Sequence, residues 1–173
     1  MNKQYILWAI LRISVGWVFF WAFIDKLFGL GFATCRDAKT GMVGVMCQNA
    51  WLQGGSPTLG FLKFGAKGPF ADFYHILAGN MVVDWLFMVG LLAIGAALIL
   101  GIGMRIAAVS GALMLVLMYT AGFLPPVNNP VVDDHLVYAV LLLALAASGA
   151  GQWFGLGKWW ANMPIVKKFP ILQ

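Results

Sequence analysis

Residues 85–124 read WLFMVGLLAIGAALILGIGMRIAAVSGALMLVLMYTAGFL, and Arg105 is the only charge among them. A helix needs about 20 mainly apolar residues, at about 1.5 Å each, to cross the hydrocarbon core of a bilayer. Trp85 to Met104 meets that length without a charge, and Ile106 to Leu124 does so again before Pro125 and Pro126 stop the helix. The stretch therefore predicts a hairpin of two membrane spans turning at Gly101, Gly103 and Arg105.

Upstream, the only charge between Tyr5 and Ile24 is Arg12, which gives a first span. Its apolar run is too long for a signal-peptide core and no small-x-small cleavage site follows, so it is expected to be a mature helix. A fourth span is expected from Asp133 through Ser148, fraying into the glycines at 149, 151 and 155. The expectation is thus one all-α domain over residues 1–173, an integral membrane four-helix bundle with spans at about 5–28, 83–102, 105–123 and 133–150. Composition agrees, because 62% of the chain is hydrophobic and 10% charged, against about 45–50% and about 25% in soluble domains. The net charge of +5 does not imply nucleic acid, since the basic residues flank apolar runs instead of clustering with aromatics.

Lys3, Arg105, Lys158, Lys167 and Lys168 fall on one side, with Arg12 expected to snorkel towards them, which makes that side cytoplasmic and both ends inside. Lys26, Arg36, Lys39, Lys63 and Lys67 fall on the other side, mostly in a long loop where the charge rule has little force. Gly90, Ala93, Ala97 and Gly101 are spaced to pack against Ala107, Ala108, Gly111 and Ala112 as the seam of the hairpin. Trp153, Trp159 and Trp160 with Lys158 read as an interfacial belt.

The external loop, residues 30–80, is long enough to carry structure or function of its own. It holds the only two cysteines, Cys35 and Cys47. A structural disulfide is the favoured reading in an oxidising compartment; free thiols and redox chemistry are the alternatives, the last disfavoured by the lack of C-x-x-C spacing. Residues 68–80, with Pro69 near one end and Gly79 near the other, read as a short interfacial helix on which His75 is a polar tip.

Asp25 ends the first span, Asp84 opens the second, and Asp133, Asp134 and His135 open the fourth, so four of the six acidic residues converge on the external level. Lys26 joins them, and Trp21 lies one turn below Asp25. Two readings stand: ionisable groups at membrane depth facing a shared functional pocket, or helix caps and ion pairs, Asp25 with Lys26 among them. No haem motif, iron–sulfur cysteine set, dinucleotide fingerprint, phosphate loop or nucleophile elbow is present in the sequence, and no metal site is expected.

The strings LRISVG (11–16), WAFIDKLFG (21–29), GGSPT (54–58), DWLFMVG (84–90), LGIGMR (100–105) and NNPVVDDH (128–135) resemble, in order and spacing, the DoxX family, and within it the DoxD-like membrane subunit of thiosulfate:quinone oxidoreductase. The resemblance spans nearly the whole chain, although Cys35 to Cys47 lies outside the family pattern. It implies a four-helix protein of the inner (cytoplasmic) membrane, a partner subunit, and transfer of electrons to a diffusible membrane quinone. The catalytic candidates are then Asp25, Lys26, Asp84, Asp134 and His135. Lys26 and His135 would attract an oxyanion or donate to a quinone carbonyl, the three aspartates would fix them or take protons, and Trp21 would contact the quinone. The alternative is a non-enzymatic membrane anchor or assembly module for a redox or stress-response complex; a small-solute or lipid carrier has little support without a visible repeat or broken helix. The topology is tested by a reporter fused after Gln173, expected to be active only if it is a cytoplasmic reporter. A periplasmic reporter that works there overturns the charge argument.

Overall fold

The computed structural model describes residues 3–173, and within them the chain is all-helical, with no strand beyond one isolated bridge between Arg36 and Val43. Seven α-helices follow in order: α1 Lys3–Phe28, α2 Ala71–Leu77, α3 Met81–Leu100, α4 Met104–Gly122, α5 Asp134–Ala147, α6 Gly157–Ala161 and α7 Pro164–Lys168. Helices α1, α3 and α4 are each long and apolar enough to cross a membrane, so the chain is a multi-pass membrane protein. Helix α5 is apolar but has 14 residues, about 21 Å, which is short of a hydrocarbon core of about 30 Å. It stops early because Gly149, in the left-handed region at φ 67°, turns the chain into a 3-10 segment at Ala150–Gln152.

The helix starts follow local chemistry. Asn80 caps α3 by accepting from the Val82 and Val83 amides, and Asp133 caps α5 by accepting from those of His135 and Leu136. Helix α2 lies within residues 68–80, where a short helix is expected, and the Tyr74 and Thr120 hydroxyls, 2.7 Å apart, tie it to the end of α4.

One buried core draws Phe19 from α1, Ile94 and Leu98 from α3, Ala108 and Leu115 from α4, and Leu142 from α5. The helices pair most closely as α1 with α3 and α4 with α5. Small residues permit this. A Cβ on Gly95 would lie 2.6 Å from the Phe20 amide nitrogen, and one on Gly111 would meet Leu142 at 2.7 Å and Ile94 at 3.2 Å. Gly111 thus sits in the α4–α5 contact as well as in the hairpin seam expected of it, and Gly90 meets the tip of Met114.

Arg12 corrects an expectation. Instead of snorkelling to an interface it is fully buried, and its guanidinium donates to the carbonyl oxygens of Leu98, Ile99 (3.0 Å), Trp153 (3.2 Å) and Phe154 (3.0 Å). Leu98 and Ile99 belong to the last turn of α3, whose carbonyls have no partner within the helix and carry its negative dipole end. The Arg12 cation therefore caps α3 and joins α1 to the segment after α5. Gly101 is required at this junction twice over: its φ is +75°, and a Cβ there would lie 2.8 Å from an Arg12 nitrogen.

Gly95→Ala is expected to cost about 1–3 kcal/mol through overpacking against the α1 backbone, read as a lowered unfolding temperature in mild detergent. Gly60→Ala, where φ is −60° and the added methyl meets nothing within 4 Å, serves as the neutral or slightly stabilising control. Equal effects at the two positions would contradict the α1–α3 packing.

Candidate functional site

Asp25 is 1% exposed near the C-terminal end of α1, where the helix dipole disfavours an anion. Its compensation comes from the loop beyond. The Phe32 amide donates to one carboxylate oxygen at 3.0 Å and the Ala33 amide to the other at 2.9 Å. The chain then continues directly into the disulfide Cys35–Cys47, whose Cα atoms are 5.7 Å apart. That ring is fastened to α1 a second time, by the Met46 amide donating to the Phe28 carbonyl at 3.0 Å. Gly29 lies under the disulfide so closely that a side chain there would strike Cys35 Sγ. Within the ring, the Thr40 amide and hydroxyl and the Lys39 amide hold the Asp37 carboxyl below its usual range and close the turn.

Asp84, 6% exposed in the first turn of α3, fastens a second part of the loop. One of its oxygens accepts from the Ser56 hydroxyl at 2.9 Å, the Thr58 amide at 3.2 Å and the Thr58 hydroxyl at 2.6 Å. Trp51 then packs edge-on against Trp85, with ring centroids 4.7 Å apart. At the third position Asp133 does more than cap α5: its second oxygen lies 2.7 Å from His135 Nδ1, and the imidazole stacks on Phe123 at 4.3 Å.

Among the described residues, no side-chain hydrogen bond or ion pair joins any two of the five expected site residues. Asp25, Asp84 and His135 each bind different partners, and Asp134 is exposed, without a hydrogen bond or ion pair among the described residues. Lys26 is half-buried, and the ion pair expected with Asp25 does not form: the one carboxylate–cation contact within 4.0 Å among the described residues is Asp133–His135. The packing register, with Gly16 against Leu98 and Gly95 against Phe20, sets Asp25 opposite about residue 90. Asp84 is then about six residues, or about 9 Å, further out along the helix axis. Trp21 stands in an aromatic row with Trp17 (5.6 Å) and Phe32 (5.1 Å) on the α1 surface. Two concavities, of about 170 and about 390 Å³, are lined by none of Asp25, Lys26, Asp84, Asp134 or His135.

No protein-family model, curated protein or solved structure matches the chain. What the loop-bearing end can do is accordingly read from its geometry. Asp25 and Asp84 are anchors for loop amides and hydroxyls, and the one acid–base pair among the described residues is Asp133 with His135. The residue that caps α5 and contacts His135 is Asp133, not its neighbour Asp134; the cue lies in the sequence, because a capping aspartate precedes the helix and its side chain reaches the amides two and three residues on. Ser56 and Thr58 were legible only as a GGSPT string, without their partner.

Asp25→Asn removes the charge from two buried hydrogen bonds, and the expected loss is about 1.5–3 kcal/mol. Hydrogen exchange should quicken at the Phe32 and Ala33 amides while the disulfide persists. Unchanged protection at those two amides would show that the carboxylate does not hold the loop.

Proposed function

We propose that this chain is the membrane-embedded anchor and assembly subunit of a DoxX/DoxD-type redox complex, with its external loop presented to a partner subunit. The observation that carries the reading is the use of the carboxylates: Asp25 and Asp84 are buried and spend their oxygens on the loop segments 32–33 and 56–58. Anionic anchors of this kind stiffen a loop into a docking surface, because each charge-assisted bond holds the backbone more firmly than a neutral one. In this reading the chain is a four-helix bundle of the inner (cytoplasmic) membrane, both ends lie inside, and α5 completes the bundle with help from the segments that flank it.

A second reading is favoured by one further observation, the Asp133–His135 pair beside the Phe123 ring. With Nδ1 engaged by Asp133, the other ring nitrogen of His135 is the group that could donate to or accept from a diffusible quinone. The chain would then pass electrons directly: two thiosulfate ions couple to tetrathionate, and the two electrons released, with two protons, convert quinone to quinol.

The two readings separate on the complex purified in mild detergent and assayed for thiosulfate-dependent reduction of a quinone analogue. The anchor reading expects Asp25→Asn and Asp84→Asn to lose the co-purifying subunit and the activity together, and His135→Ala to retain both. Loss of activity in His135→Ala with the complex intact and thermally stable supports the electron-passing reading instead. Intact complex and full activity in all three variants would sink both.

A further inference from the structure

The end of the molecule opposite the carboxylates is built differently. From residue 85 to 132 and from 135 to 173 the sequence contains no Asp or Glu, yet Arg105, Lys158, Lys167 and Lys168 fall there. Arg12, from α1, adds a buried positive charge that meets carbonyl dipoles, and among the described residues its Nε has no hydrogen-bond partner. Between the start of α4 and the segments after α5 lies the partly enclosed cavity of about 170 Å³, lined by Gly101, Met104, Arg105, Gln152, Trp160 and Gln173 among others.

The polar groups of its lining are partly unspent. Arg105 is exposed and uses one Nη to donate to the Pro170 carbonyl at 3.1 Å, leaving its other guanidinium N–H groups without a partner among the described residues. The Gln152 side chain is exposed and has none among them either. Behind the Gly101 wall stands the Arg12 guanidinium, close enough that a Cβ on Gly101 would lie 2.8 Å from it. In the first turn of α4 the Arg105 amide is already engaged by the Gln173 carbonyl at 2.7 Å, so side-chain donors are what the cavity has left to offer. Helix α3 ends and α4 begins at this level, which corresponds to headgroup depth for two membrane spans, where basic pockets between helices take anionic lipid heads.

We infer that this cavity binds a phosphate ester, with the Arg105 guanidinium gripping the phosphate oxygens and Gln152 completing the contact. A guanidinium fork matches two phosphate oxygens at once, and a cavity of this volume admits a phosphate with the first atoms of its ester substituent. A lipid headgroup and a free phosphate ester share that chemistry. The site lies apart from the external carboxylates and is independent of their role.

The test uses the full chain in neutral detergent, titrated separately with phosphatidylglycerol micelles, glycerol phosphate and inorganic phosphate, with binding read by native mass spectrometry and thermal shift. Binding of phosphatidylglycerol is expected, weakened about tenfold by Arg105→Gln and several-fold by Gln152→Leu, as loss of charged and neutral hydrogen bonds requires. Lys167→Gln, an exposed cation outside the lining, should change it by less than about twofold. The same variant pattern with glycerol phosphate or inorganic phosphate supports the site and assigns a soluble source. Failure of all three probes, native-like binding by Arg105→Gln in a folded protein, or an equal loss in Lys167→Gln overturns the inference.

Discussion

A guanidinium buried without a carboxylate is the constraint around which this protein is arranged. Arg12 can remain charged inside the core only where several carbonyl oxygens converge on it, and the end of an α-helix is the one regular structure that offers unpaired carbonyls together with a negative dipole. The last turn of α3 supplies Leu98 and Ile99; the chain after α5 supplies Trp153 and Phe154. That requirement fixes how far α1 slides along α3, stops α3 at Gly101, and draws the segment after α5 back across the end of α1. A lysine could not replace it, because a single ammonium on a flexible stem does not present planar donors to carbonyls on two different segments.

The opposite end solves the complementary problem. Buried anions need donors, and a loop of irregular backbone has amides and hydroxyls to give. Asp25 takes two amides and Asp84 takes an amide and two hydroxyls, so each charge is satisfied and each loop segment is fixed to a helix. The disulfide between Cys35 and Cys47 closes the part of the loop nearest Asp25. The two ends differ in charge: all six aspartates lie towards the end that holds the long loop, together with Lys26, Arg36, Lys39, Lys63 and Lys67, whereas Arg105, Lys158, Lys167 and Lys168 lie towards the other end with no Asp or Glu beside them.

The three long helices were legible because length without charge is a signal that survives any detail of packing; α3 and α4 begin and end within about two residues of the expected limits. Helix α5 was weaker in the sequence for a physical reason that the structure repeats, since Ser148 and the following glycines do not sustain a helix. The convergence of Asp25, Asp84 and Asp133 on one end was also readable. Their partners were not, because Phe32, Ala33 and Thr58 reach them through tertiary folding of a loop that carries no periodicity. Arg12 was misjudged for the same cause: a basic residue in an apolar span reads as snorkelling until the carbonyls of Trp153, far along the chain, are known to meet it.

The claim that the buried Arg12 cation holds the helices in register is tested most directly by Arg12→Lys, which keeps the charge and removes the fork. Hydrogen exchange of the purified protein in mild detergent, followed by mass spectrometry, is the measurement. Lost protection is expected in the last turn of α3 and across residues 150–157, with the loop at residues 32–33 and 56–58 unaffected. Protection in Arg12→Lys equal to that of the native protein at both segments would contradict it.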